Sequence, residues 1–192
     1  MFGIYELSEE IKNRITGKTF PADTKDIRIT YGDLRYLTVD YVNFDGEICQ
    51  GEIICNQKIA EDLLEIFRIL FINQYPIEKI RLIDEYDADD ERSMSDNNSS
   101  AFNYRVIAGT DRLSNHALGM AIDINPLYNP YLPNNPATTP IQPANGAPYI
   151  DRSRDFPHKI DHEDLCYRTF RQFGFRWGGD WTKSKDYQHF EK

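Results

Sequence analysis

The sequence predicts an α+β fold, a small antiparallel sheet with flanking helices, on three observations. The stretch DLRYLTVDYVNFDGEICQGEIICN alternates apolar and polar residues on both sides of Phe44-Asp45-Gly46, and Asp-Gly is a strong hairpin-turn signal. A β-hairpin is therefore expected over residues 34–54. The next stretch, NQKIAEDLLEIFRILFINQYP, spaces Ile59, Leu63, Ile66, Phe67 and Leu70 at helical intervals, with Asn56 as a cap and Pro76 as a stop. The remaining elements follow in an irregular order, without the strand-helix alternation of a doubly wound sheet.

Further along, IEKIRLIDEY reads as a strand leading into DADDERSMSDNNSS. That second stretch is polar and lacks apolar period, so an exposed loop is expected there. GMAIDIN reads as a short strand that turns Met120, Ile122 and Ile124 to the core and displays Asp123, unburied, on the other face. Residues 126–157 hold eight of the ten prolines; neither a helix nor an inner strand tolerates that density, and a loop of this length is expected to act as a lid. Its portion 132–146 has no apolar period and is expected to be dispensable for folding. HEDLCYRTFRQFGF reads as a helix ended by Gly174, and RWGGDW with DYQHFEK as a glycine turn and a closing strand.

Composition limits the function. At 192 residues the chain has room for one good core, so a single domain over 1–192 is expected. The net charge of -9 argues against a nucleic-acid partner or an anionic membrane surface, and no stretch is apolar enough to span a membrane. Cys49, Cys55 and Cys166 lack the C-x-x-C pairing of a thiolate zinc or redox site. The first twenty residues carry acids where a signal peptide has its apolar run. Either the protein is not exported by that route or a leader precedes this sequence, so localisation is left open, extracytoplasmic in the second case.

One stretch carries chemistry. In LSNHALGMAIDINP, His116 precedes a strand containing Asp123, and Gly119 permits a tight path that folds the histidine back beside the acid. Imidazole and carboxylate suit zinc, and a catalytic zinc site takes three protein ligands and leaves one position open. His158, His162 and His189 are the remaining histidines. The first two lie on or beside the Pro-rich segment and a helix start, whereas His189 sits on a strand flanked by aromatic residues, and is chosen as the third ligand.

Read as Ser-x-His-x-x-Gly-x-Ala-x-Asp followed late by Asp-x-x-His-Phe-Glu, these two motifs resemble the zinc D-alanyl-D-alanine carboxypeptidase and dipeptidase family of bacterial cell-wall metabolism. That family also includes L-alanyl-D-glutamate endopeptidases. The resemblance spans residues 103–191. It implies the small α+β fold shared with hedgehog signalling domains, Zn2+ held by His116, Asp123 and His189, and a peptidoglycan stem peptide or other D-amino-acid-containing peptide as substrate. A peptidase core is thus expected over 81–192, with PYLPNNPATTPIQPANGAPYI in the Pro-rich loop 126–157 as its main departure from the family, and 1–80 as an N-terminal elaboration of unassigned role.

The family's general base stands three places before the last ligand, which is Asp186 here. Aspartate at this place is commoner in the endopeptidase branch, glutamate in the dipeptidase branch. A carboxylate there can take a proton from the attacking water and pass it to the leaving amine. The family also supplies an arginine upstream of its first motif to steady the oxyanion. Arg105, whose stem follows aromatic residues, is preferred to Arg92 in its acidic loop. Ser114 matches the serine before the first ligand, and Glu191, two residues past His189 on the same strand face, is expected to support a ligand. Trp177 and Trp181 are candidates for core packing or a cleft wall. The sequence therefore points to a zinc metallopeptidase, carboxypeptidase or endopeptidase; the alternatives are a zinc-containing cell-wall-binding or interaction module without turnover, and a metal-free structural domain.

Overall fold

The computed structural model describes residues 1–25, 27–107 and 110–192. The chain opens with β1 (Gly3–Tyr5) and α1 (Glu9–Ile15), whose cap Ser8 accepts from the Ile11 amide. β2 (Leu34–Val42) and β3 (Ile48–Asn56) form the expected hairpin, and β1 adds to β2 to give an antiparallel sheet in the order β1-β2-β3. α2 (Gln57–Ile72) follows without a break, capped by Asn56 on the Lys58 amide. The asparagine stabilises this start because its side-chain oxygen satisfies an otherwise orphaned N–H, a bond of about 1 kcal/mol.

β4 (Lys79–Ile80) pairs in parallel with β5 (Asn98–Ser99), and between them lies α3 (Asp90–Ser95). β6 (Ala121–Asp123), β7 (Tyr131–Leu132), α4 (Leu165–Gln172), β8 (Arg176–Trp177), β9 (Lys185–Asp186) and β10 (His189–Glu191) complete the chain. A second antiparallel sheet has the order β6-β10-β8, and β7 and β9 form a separate two-stranded pair. The fold is mixed α and β, with small, mainly antiparallel sheets and a few helices. No helix among the described residues is long and apolar enough to cross a membrane.

One core runs through both halves of the sequence. Leu37, Ile53 and Phe67 from the hairpin and α2 pack in the same cluster as Ile122, Phe170 and Phe190. Phe170 of α4 stacks on Phe190 of β10 with ring centroids 4.2 Å apart. Burying each such side chain is worth about 1.5–3 kcal/mol, so α2 and α4 are held to the sheets chiefly by this face. Residues 1–80 also brace the motif read as the site. Gly119 adopts φ 65°, its carbonyl accepts from the Asn56 amide at 2.8 Å, and Asn56 Nδ2 donates to the Leu118 carbonyl at 3.0 Å. A Cβ at Gly119 would stand 2.6 Å from Asn56 N, so the close approach requires glycine.

Four expectations need correction. The strand over 77–86 shrinks to Lys79–Ile80 and then turns into a 3-10 segment, Ile83–Tyr86, where Asp84 meets the Arg14 guanidinium at 2.8 Å. The acidic stretch 87–100 is not an exposed loop, since it contains α3 and β5, and Ser93 and Asn97–Ser100 are buried. Asn98 donates to the Arg81 carbonyl and to Ser93 Oγ while accepting from the Arg81 amide. Polar side chains can be interior when their bonds are met in this way, and apolar periodicity is blind to that. Asp123 is buried rather than displayed; it does leave the face of Ile122 and Ile124, but the two histidines cover it.

The Pro-rich segment is the fourth. Its longest exposed run is residues 134–140, whereas Pro133, Pro143 and Gly146 are buried. Tyr131 and Gln142 exchange backbone hydrogen bonds of 2.7 and 3.2 Å, and the Gln142-Pro143 peptide is cis. Asn145 donates to the Ser95 carbonyl. The segment is tied to the body at both ends, and 132–146 is not a free lid.

Candidate metal centre and active site

His116 lies in a 3-10 turn, Asn115–Leu118, whose cap Ser114 accepts from the His116 amide at 3.2 Å. Ser114 thereby caps the turn that carries the histidine. His116 Nδ1 stands 2.6 Å from the Ala101 carbonyl, an acceptor only, so Nδ1 carries the proton and Nε2 presents a bare lone pair. His189 of β10 is the register partner of Asp123 on β6. Its Nε2 lies 3.3 Å from Glu191 Oε2 and donates to that carboxylate, so that in the neutral ring Nδ1 is bare as well.

The two bare nitrogens and the Asp123 carboxylate converge. His116 Nε2 is 3.1 Å from His189 Nδ1, His189 Nδ1 is 3.1 Å from Asp123 Oδ1, and His116 Nε2 is 3.3 Å from Asp123 Oδ2. Ligand atoms at zinc distances of roughly 2.0–2.1 Å in a tetrahedron stand about 3.3 Å from one another. The observed separations and the nitrogen–oxygen donor set fit such an ion. Three lone pairs pointing together repel unless a cation or a proton lies between them, and the electrostatics reflect this. Burial opposes an imidazolium at His189, yet Asp123 and Glu191 push its pKa up to about 10. Burial likewise raises Asp123, but His116 and His189 hold it well below the usual carboxylate range.

Asp186 lies on β9 beside this cluster. Its Oδ1 is enclosed and has no hydrogen-bond partner among the described residues. Burial pushes its pKa up, aided by the Asp123 charge and opposed by His189 and Arg105, to about 7. Gly178 backs it closely, since a Cβ there would stand 2.8 Å from Asp186 Cβ. Arg105 faces the same charges: burial lowers its pKa while Asp123 and Asp186 raise it. It also pairs with Asp90 at the start of α3. Arg92, the competitor, lies on the surface against Asp87.

Glu191 does more than was anticipated. Besides His189, it takes Asn115 Nδ2 on Oε2 and Arg176 on Oε1 at 2.9 Å. The His189 hydrogen bond, against burial, holds its pKa down to about 2. Trp177 is buried in the core, whereas the half-exposed Trp181 lies 5.4 Å from the His189 ring and forms a wall of the site. The other histidines stand apart from the cluster, His162 on Asp180 at 2.7 Å and His158 stacked on Phe44.

Asp90, Asn115, Arg176 and the Ala101 carbonyl escaped the sequence reading. Asp90 sits in an acidic run with nothing to distinguish it, and a carbonyl has no sequence signature. Arg176 becomes visible only once β8 is placed beside β10, where it opposes Glu191.

No curated protein and no solved structure matches the chain. A family model does: residues 108–192 match the family described as D-alanyl-D-alanine carboxypeptidase. That span holds Ser114, His116, Asp123, Asp186, His189 and Glu191, with Arg105 just ahead of it. Over residues 108–192, a little less than half of its length, the chain is similar to the D-alanyl-D-alanine carboxypeptidase family.

Proposed function

We propose that the protein is a zinc metallopeptidase that hydrolyses peptide bonds in peptidoglycan stem peptides, as a D-Ala-D-Ala carboxypeptidase or a related L-Ala-D-Glu endopeptidase. The observation that supports this most is the convergence of the bare His116 Nε2, His189 Nδ1 and Asp123 carboxylate beside an Asp186 oxygen without a hydrogen-bond partner among the described residues. His116, Asp123 and His189 hold the metal in this reading. Zinc, when bound, polarises the scissile carbonyl and makes a water acidic enough to attack at neutral pH.

The chain's own residues do the rest. Asp186 Oδ1 takes a proton from the attacking water and returns it to the leaving amine; no described residue donates to that oxygen in competition. Arg105 steadies the negative charge on the attacked carbonyl and rests against Asp90 between turnovers. Glu191, fixed by Asn115 and Arg176, keeps the His189 ring in the tautomer that presents Nδ1. Trp181 offers an apolar wall for the substrate. The peptidase core corresponds to residues 81–192 in a hedgehog-like fold, and 1–80 supply the hairpin and α2 against which it is built.

Incubation with purified peptidoglycan and with short peptides ending in D-Ala-D-Ala, followed by mass analysis of the fragments, tests this reading. Loss of a terminal D-Ala identifies a carboxypeptidase, and cleavage after L-Ala an endopeptidase. Intact substrates together with one bound zinc per chain would instead favour a binding module.

A further inference from the structure

The strand that carries Asp186 does not belong to the β6-β10-β8 sheet. β9 is two residues long, and its ladder partner is β7 of the Pro-rich segment, with Tyr131 opposite Asp186 and Leu132 opposite Lys185. The contacts continue beyond the ladder: the Tyr187 amide donates to the Pro130 carbonyl at 3.5 Å, and Gln188 Nε2 to the Gln142 carbonyl at 3.4 Å. The backbone of Asp186 is thus held by the Pro-rich segment.

Arg152 closes that segment. Its four hydrogen bonds all go to neutral oxygens: the Tyr128, Tyr149 and Ile160 carbonyls at 2.9, 3.3 and 2.7 Å, and Asn129 Oδ1 at 3.0 Å. They tie the residues just before β7 to the far end of the Pro-rich stretch. Asn129 is itself fully buried and locked, donating to the Asn125 and His158 carbonyls. The same guanidinium lies 4.3 Å from the centre of the Tyr187 ring, next in sequence to Asp186. A planar cation with several fixed donors is suited to joining chain segments while stacking on an aromatic face.

We propose that Arg152 is a positioning residue for Asp186: by closing the Pro-rich segment and covering Tyr187, it fixes the short strand that presents the base. The inference rests on the peptidase reading for the role of Asp186, and on geometry alone for the clamp. A general base works only within hydrogen-bond reach of its proton, and a misplacement of about 1 Å can cost roughly 10²-fold in rate.

The test uses the full zinc-loaded chain and compares Arg152→Met, Arg152→Lys and Tyr187→Leu. Amide hydrogen exchange at Tyr187 and across 131–132 is expected to quicken by about tenfold or more in Arg152→Met and Tyr187→Leu, with β2, β3 and β6 unchanged and Arg152→Lys intermediate. On a D-Ala-D-Ala peptide, Arg152→Met lowers kcat by about tenfold or more at constant KM and zinc content, and adds nothing in an Asp186→Asn background. Unchanged exchange at Tyr187, or a uniform quickening that includes the β2–β3 hairpin, would overturn the clamp. A loss that multiplies with that of Asp186→Asn would overturn action through the base. If Arg152→Met does not fold, Tyr187→Leu, which leaves the four Arg152 bonds in place, decides. A wild-type chain that cleaves nothing would defeat the peptidase reading while the exchange measurements still judge the clamp.

Discussion

Asp123 and His189 are register partners across β6 and β10, with Asp123 Oδ1 3.1 Å from His189 Nδ1. Their spacing is set by a backbone ladder and not by the ion they would share. His116 is added to this pair by a capped turn and the Ala101 carbonyl. The three side chains are therefore preorganised, and a metal held by them would require little ordering of the chain.

Zinc binding should release a proton from His189. With Asp123 and Glu191 overcoming burial, the metal-free imidazole is held up to about 10, so it is protonated at pH 7 and must lose that proton to bind an ion. Calorimetry in buffers of different ionisation enthalpy should report about one proton released per zinc at pH 7. The same shift makes the metal-free chain pH-sensitive. His189 contributes its full stabilisation below the unfolded value of about 6.5, and that contribution fades as pH rises towards 10. Chemical denaturation of the metal-free protein should show the decline, and His189→Gln should remove it. Zinc uptake without proton release would contradict the assignment.

The hairpin, α2, α4 and the clustering of His116, Asp123 and His189 are legible in the sequence because each rests on a local signal: Asp45-Gly46, the Asn56 cap, Gly174, and two spaced motifs. Residues 87–100 were not legible, since Asn98 and Ser93 are interior through mutual hydrogen bonds that no periodicity encodes. Alternation puts Asp123 on the right face but does not reveal its burial, because what covers it, His116 and His189, comes from 7 positions before it and 66 after it. The Pro-rich segment was misread for a related reason. Proline density says that a stretch is neither helix nor inner strand, but not whether its ends are paired, and Tyr131 pairs with both Gln142 and Asp186.

Removal of residues 134–140, the longest exposed run of that segment, should leave cooperative unfolding intact with a change in Tm of a few degrees at most, since loop-closure cost varies slowly with length. Removal of 132–146 should act differently. It takes away Leu132, Gln142 and the buried Pro133, Pro143 and Gly146, and with them the pairing that supports β9. A thermal scan of the two deletions, read with hydrogen exchange at Asp186, distinguishes them; equal behaviour would show that the anchors carry no weight.

Asp164 caps α4, accepting from the Cys166 and Tyr167 amides and from the Tyr75 hydroxyl. Burial nonetheless pushes its pKa up to about 6, against those hydrogen bonds. The folded chain then keeps a proton that the unfolded chain releases near pH 4, so stability falls as pH rises from about 4 to about 6 and stays lower above. Asn caps helices as well as Asp does. Asp164→Asn should flatten this dependence and raise stability at pH 7 by about 1–3 kcal/mol. Urea denaturation at pH 4 and pH 7 measures it, and a variant less stable at pH 7 would show that the carboxylate charge is needed by the cap.

Asp186→Asn separates the base from its rivals. The amide is nearly isosteric and lies outside the ligand cluster, so fold and zinc content should be kept. It cannot accept a proton at Oδ1, and turnover should fall by roughly 10²–10⁴-fold. Glu191 is a poor substitute because His189, Asn115 and Arg176 already occupy its carboxylate. The pH profile gives a second reading. In the metal-free site, burial and the Asp123 charge raise Asp186 to about 7 against His189 and Arg105, and a cation beside it favours ionisation. The acid limb of wild-type activity should therefore fall at or below pH 7, with rate rising as Asp186 loses its proton, and the residual activity of Asp186→Asn should lack that limb. A variant that keeps its zinc and cleaves at the wild-type rate would show that another group moves the proton. Persistence of the same limb in a slow variant would assign that limb to a different residue.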